Sequence, residues 1–246
     1  MKNIKLTIEY EGTNYSGWQK QENAITIQEK IEEAIEKATK EKVKLIGSGR
    51  TDGKVHALGQ VANFLTSSNI PGEKYKYALK FLLPEDITII ESEEVDLKFH
   101  SRFDAIKKRY KYIVYNGELP RAIYRNFSYH VPYDIDIDEM FHASKYLIGT
   151  HDFATFMAAN SDVNSTIRTI YNISIERNKD LIEFNIEGNS FLRNMVRIIV
   201  GTLLYVGYGK IKKQDIPKII LDRRREGAGP TAPPQGLFLE KVFYNP

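Results

Sequence analysis

Ile4, Leu6, Ile8 and Tyr10 alternate with polar residues at the start of the chain, a period of two that predicts a half-buried strand. Thr26-Ile27-Gln28-Glu29 has the spacing of a capping box, and Ile31, Ala34, Ile35 and Ala38 follow at helical intervals. Strands are expected at about 43–48 and 58–66, then a helix holding Tyr77, Leu79 and Leu82 that stops at Pro84, then a strand over roughly 86–95. The order βαββαβ is that of a ferredoxin-like unit.

The second half repeats that order with longer excursions. Lys111 to Tyr115 reads as a strand and about 138–148 as a helix. Strands at about 167–177 and 180–187 meet at Asn178-Lys179-Asp180, which suits a hairpin. A helix is expected at about 190–207, a shorter one at 214–222 and a last strand at 237–243. The longer helix is apolar almost all round and should be buried, yet it carries Arg193 and Arg197 one turn apart on one face with Gly201. A buried arginine is costly without an anion, so either at least one meets a carboxylate or phosphate, or both reach water at the helix end. The fold class expected is α+β: two ferredoxin-like βαββαβ halves with mainly antiparallel sheets and a cleft between them. The linker should fall near 96–107, giving domains of 1–104 and 105–246.

Composition narrows the chemistry. The 246 residues are 42% hydrophobic, enough for two cores of ordinary size. Cysteine is absent, which excludes a disulfide framework, a thiolate nucleophile and a cysteine zinc site. The five histidines show no zinc-helix spacing, and no metal is expected. Nothing reads as a signal peptide or a membrane span, so the expected location is the cytoplasm, away from membranes. Residues 1–104 carry 15 Lys+Arg against 17 Asp+Glu, a balance of −2, and the remainder 20 against 15, a balance of +5. Basic clusters at Lys107-Lys108-Arg109-Lys111, at Arg121 and Arg125, and at Arg223-Arg224-Arg225 are compatible with RNA, though such runs are more often solvated faces.

The densest candidate chemistry lies in Gly47-Ser48-Gly49-Arg50-Thr51-Asp52-Gly53-Lys54-Val55-His56-Ala57. It places one carboxylate, Asp52, between two cations on a glycine-rich turn that runs into a strand. A phosphate loop of the form G-x-x-x-x-G-K-[ST] fails, because Ser48 takes the first glycine position and Val55 the hydroxyl position. The dinucleotide fingerprint G-x-G-x-x-G fails because Asp52 replaces its third glycine. On spacing alone, Asp52 could simply make an Asx-turn.

Gly49-Arg50-Thr51-Asp52 with Val55-His56-Ala57 and Gly59-Gln60-Val61 resembles the active-site motif of TruA-type tRNA pseudouridine synthases. The likeness extends, in family order, through Tyr10-Glu11-Gly12, Tyr15 to Gln19, Phe99 to Phe103, Lys108 to Tyr112, Gly149 to Phe156, Arg168-Thr169-Ile170, Phe191 to Gly201 and Pro230 to Leu237. One departure stands out: where the family has Ala then Gly after the aspartate, this chain has Gly53 then Lys54.

The resemblance implies isomerisation of uridine to pseudouridine at positions 38, 39 and 40 of the tRNA anticodon stem-loop, without cofactor, by a homodimer. It implies Asp52 as the essential carboxylate, Arg197 as its ion-pair partner and Tyr110 as the aromatic that stacks on the base and helps remove the C5 proton. Leu237 would line the pocket, Arg50 would hold the extruded nucleotide's place or a phosphate, and His56 would support the loop or RNA. Three competing readings remain: the same chemistry on another RNA, a non-catalytic RNA-binding module, and a hydrolase using Asp52 and His56 as an acid–base pair. The aromatic RNP1 pattern of such binding modules is absent.

Overall fold

The computed structural model describes every residue except Asn160, Asp162 and Pro246. The first elements are β1 (Lys2–Tyr10), α1 (Ile27–Thr39), β2 (Ile46–Gly47), β3 (His56–Thr66), α2 (Tyr75–Leu79) and β4 (Ile87–Val95). They are followed by β5 (Ala105–Tyr115), β6 (Tyr129–His130), α3 (Ile137–Lys145), β7 (Gly149–Asp152), β8 (Ile167–Asn178) and β9 (Leu181–Gly188). The chain closes with α4 (Met195–Gly207), α5 (Ile216–Asp222) and β10 (Leu237–Tyr244). Two compact units result: Met1–Ile106 with Phe238–Pro246, and Lys107–Leu237. The fold class is α+β.

In the first unit, β1 pairs antiparallel with β3 on one side and β4 on the other, and β2 adds to the outer side of β3. The C-terminal strand returns to this unit, where Phe238 and Leu239 run parallel to His56 and Ala57. Ile4, Leu6, Ile8 and Tyr10 are buried as their alternation requires, beside Ile31, Ala34 and Ile35 of the amphipathic α1. The second unit places β5, β9, β8 and β7 in that order, each pairing antiparallel, with β6 parallel to β5. Its core includes Tyr112, Val114, Phe184, Ile186 and the inner face of α4. Among the described residues, no helix is long and apolar enough to cross a membrane.

Several local expectations are corrected. Thr26 is the N-cap of α1 but makes no capping hydrogen bond, and its hydroxyl is buried without a partner. The strand expected at about 43–48 shrinks to Ile46–Gly47, because side chains of α1 take the backbone before it: Leu45 N–H donates to Glu32 Oε1 (3.0 Å) and Leu45 O accepts from Gln28 Nε2 (3.1 Å). The helix expected from about 190 begins at Met195, since Asn194 adopts φ 61° and cannot continue it. Arg193 therefore precedes the helix, exposed, with its carbonyl accepting from Ala158 N–H (3.0 Å). The expected helical face shared by Arg193 and Arg197 does not form. Short β6 and β7 were not foreseen.

Candidate active site

In the first unit, the segment between β2 and β3 is fastened at both ends. Ser48 N–H donates to Val61 O (2.7 Å) and Ser48 Oγ to Gln60 Oε1 (2.7 Å), while Gln60 Nε2 donates to Gly49 O (3.0 Å). Trp18 N–H donates to Thr51 O (3.1 Å), and the Thr51 hydroxyl shares a bond with the Tyr10 phenol (2.8 Å). Burial pushes the Tyr10 phenol far above its ordinary range against the opposing bonds from Thr51 and Gln60, so it stays neutral. Asp52 follows directly.

Asp52 opens a turn closed by Val55 N–H on Asp52 O (3.2 Å), in which Lys54 takes φ 65°. The segment 12–17 lies across this turn. Tyr15 O accepts from Lys54 N–H (3.2 Å), and Gly12 N–H donates to His56 Nδ1 (3.0 Å). A Cβ on Gly12 would stand 2.0 Å from Val55 O, and one on Gly17, whose φ is +99°, 2.6 Å from Thr51 O. Only glycine allows so close a crossing. The result is a half-buried Asp52 on a braced turn, with Arg50 and Lys54 exposed beside it. His56 lies inside the fold, 2% exposed, its ring stacked on Phe238 at 4.8 Å. Its Nδ1 accepts a hydrogen bond, so the neutral ring carries its proton on Nε2.

In the second unit, alternation on β5 buries Tyr110, Tyr112 and Val114 on one side. Phe191 meets Tyr110 edge-on, 5.1 Å between centroids at 83°, and a Cβ on Gly188 would stand 3.0 Å from that Phe191 ring. Arg197, half-buried on α4, donates from Nε to Ala232 O (2.7 Å) and from Nη1 to Asn194 Oδ1 (2.9 Å), while its own carbonyl accepts from Ala232 N–H (3.1 Å). Gly201 admits the 229–232 segment against the helix: a Cβ there would be 1.8 Å from Pro230 O. Tyr112 donates to Pro233 O (2.7 Å), so one loop is fastened to both β5 and α4. Burial raises the Tyr112 phenol well above its usual range, with the positive field of Arg197 opposing. Leu237, buried, opens β10 one residue after Gly236, where a Cβ would press on the Tyr112 ring at 2.7 Å.

A sequence profile described as tRNA pseudouridine synthase matches residues 6–104 and 143–245. The chain belongs to the tRNA pseudouridine synthase family. It is 54% identical over 244 residues to tRNA pseudouridine synthase A of Acetivibrio thermocellus, covering 99% of this chain and 100% of the relative. It is 54% identical over 246 residues to tRNA pseudouridine synthase A 2 of Clostridium tetani, covering 99% of each. A solved structure of an H/ACA ribonucleoprotein bound to a substrate RNA containing 2′-deoxyuridine is similar at a TM-score of 0.39 and 12% identity, over 83% of this chain and 44% of that one.

Within this tRNA pseudouridine synthase family member, Arg50 and Asp52 share one loop of the first unit and His56 opens the strand that follows it, while Tyr110, Arg197 and Leu237 belong to the second. All but Tyr110 fall inside the matched segments. The arginine problem is answered in part by carbonyl and amide oxygens, Ala232 O and Asn194 Oδ1, which pattern reading did not anticipate. Tyr112 was also missed, although its place two residues after Tyr110 puts both on one face of β5.

The basic clusters are more engaged than their runs suggested. Lys107 Nζ meets Glu187 Oε2 at 2.7 Å, Arg109 Nε donates to Glu187 Oε1 at 2.6 Å, and Lys111 pairs with Glu183 at 3.3 Å. Burial works to raise the Glu187 pKa, but the hydrogen bonds from Lys107 and Arg109 outweigh it and hold it low. Arg223 pairs with Asp152 at 3.1 Å, and Arg225 Nη1 donates to Gly229 O at 2.9 Å. These cations serve the fold before any phosphate.

Proposed function

We propose that this chain isomerises uridine to pseudouridine at positions 38, 39 and 40 of the tRNA anticodon stem-loop, with Asp52 as the catalytic carboxylate. Family membership makes it an enzyme, a pseudouridine synthase acting on tRNA. The observation that carries the assignment to Asp52 is its setting: a half-buried carboxylate on a turn braced by the 12–18 segment and by Gln60, between exposed Arg50 and Lys54.

The reaction cleaves the bond from C1′ to N1, turns the uracil in place, forms a bond from C1′ to C5, releases the C5 proton and leaves N1 to take up one proton in its place. No group is gained or lost, so no cofactor is required. Asp52, ionised, attacks or stabilises the electron-poor sugar carbon as N1 departs. The resemblance gives Arg197 as the ion-pair partner of Asp52. Tyr110 offers an aromatic face to a base that must leave its stack, and Leu237 supplies an apolar wall. Arg50 fills the place of the extruded nucleotide or holds a phosphate. His56, buried and hydrogen-bonded, acts by holding the loop. These pairings and roles rest on the family resemblance.

The sequence halves 1–104 and 105–246 are divergent copies of one ferredoxin-like βαββαβ plan. In support, the first has strand order β4-β1-β3-β2, and β5, β9 and β8 keep the matching order of first, third and second strands. The working assembly is a homodimer in the cytoplasm. Carbodiimide treatment and primer extension on tRNA incubated with the protein test the reading. Stops at 38 to 40 support it, and stops elsewhere, or none, overturn the positional assignment.

A further inference from the structure

Lys54 is in the left-handed region, at φ 65°, as the third residue of the turn closed by Asp52 O and Val55 N–H. That turn position favours glycine, because a side chain there crowds the backbone. Glycine stands one place earlier, where it is not needed: Gly53 has no positive φ, and a Cβ on it would meet nothing nearer than 3.6 Å. Of the other non-glycine residues with positive φ, Lys40 and Arg223 end helices, Lys179 turns a hairpin and Asn194 starts α4. Lys54 does none of these: its left-handed backbone lies inside the turn that carries Asp52. Its amide is tied to Tyr15 O, which fixes the direction of its Cα–Cβ bond, and its side chain is exposed. Its ammonium has no acidic or hydrogen-bonding partner among the described residues.

A conformation held against its own preference beside a reactive group points from strain to use. One residue, Gly53, separates Lys54 from Asp52, a span of at most about 7 Å between Cα atoms. Each nucleotide of an RNA carries a phosphate, and an ammonium is a compact charge suited to one. We propose that Lys54 binds a backbone phosphate of the tRNA next to the uridine that reacts at Asp52. This rests on the reading of Asp52 as the catalytic carboxylate.

The test uses the full chain with a tRNA transcript, comparing wild type with Lys54→Gly, Lys54→Gln and Lys54→Arg. Lys54→Gly should raise Tm by about 2 °C, because the strained position receives the residue that suits it. It should also raise KM for tRNA about three- to tenfold. The slope of log Kd against log salt should become shallower by about 0.7 to 0.9, the signature of one lost phosphate contact. Lys54→Gln should share the binding loss without the gain in Tm, and Lys54→Arg should restore KM to within about twofold. Stability rising while affinity falls is a combination a merely structural lysine does not give. Wild-type KM and salt slope in both Lys54→Gly and Lys54→Gln overturn the proposal. If wild type binds tRNA but forms no pseudouridine, the catalytic reading fails instead, and the salt slopes still decide whether Lys54 touches a phosphate.

Discussion

Replacing Gly12 with alanine puts a carbon 2.0 Å from Val55 O, 2.6 Å from Val55 C and 3.0 Å from Val55 N. All three are backbone atoms, so no side chain can swing aside. Relief requires the 12–17 segment and the Asp52 turn to separate by about 1 Å or more. The 3.0 Å bond from Gly12 N–H to His56 Nδ1 then passes beyond hydrogen-bonding range, inside a site where His56 is 2% exposed. A buried acceptor left unmade costs about 1–3 kcal/mol, and overpacking adds about 1–3 kcal/mol. A total of about 2–6 kcal/mol lowers Tm by about 4–24 °C in a chain of this size. Displacing Asp52 by about 1 Å should lower kcat by about a hundredfold. Calorimetry and release of tritium from C5 of uridine in tRNA read the two effects. Gly53→Ala is the internal control: its Cβ meets nothing nearer than 3.6 Å, so both quantities should stay near wild type. Wild-type Tm and kcat in Gly12→Ala would refute the claim that this crossing holds the loop.

Thr202→Val should lower stability by about 1–3 kcal/mol, because the buried Thr202 hydroxyl accepts from Gly229 N–H at 2.9 Å. A fall in the urea midpoint at unchanged m checks it. Glu187→Gln tests the pH dependence. The folded pKa of Glu187 lies below its reference value of 4.5, so its contribution is fully present above about pH 4.5 and is lost as pH falls through the lower folded value. Wild type should therefore exceed the variant in urea midpoint at neutral pH, with the gap closing as the solution is acidified. A gap independent of pH contradicts the charge-paired role.

Alternation and helical spacing read the larger elements well, since Ile4, Leu6, Ile8 and Tyr10 and the apolar face of α4 are buried for reasons local to their own segments. Where distant atoms decide, the pattern was silent. Leu45 has the composition of a strand residue, yet Gln28 and Glu32 of α1 take its backbone bonds. Asn194 ends the backward run of α4 through a left-handed backbone that apolar spacing does not report. The basic run at 107–111 looks open in one dimension, but Glu187 and Glu183 face it across the β5–β9 ladder. The Asp52 motif was legible as a glycine-rich charged turn. Its bracing by Gly12, Gly17 and Tyr15 was not, because those contacts join segments some forty residues apart.

The central claim is that the Asp52 carboxylate carries out the isomerisation. The direct measurement is tritium release from tRNA labelled at uridine C5, by wild type and by Asp52→Ala, with tRNA affinity measured for both. Wild type alone should release tritium, at closely similar Kd. Release by Asp52→Ala at the wild-type rate would contradict it.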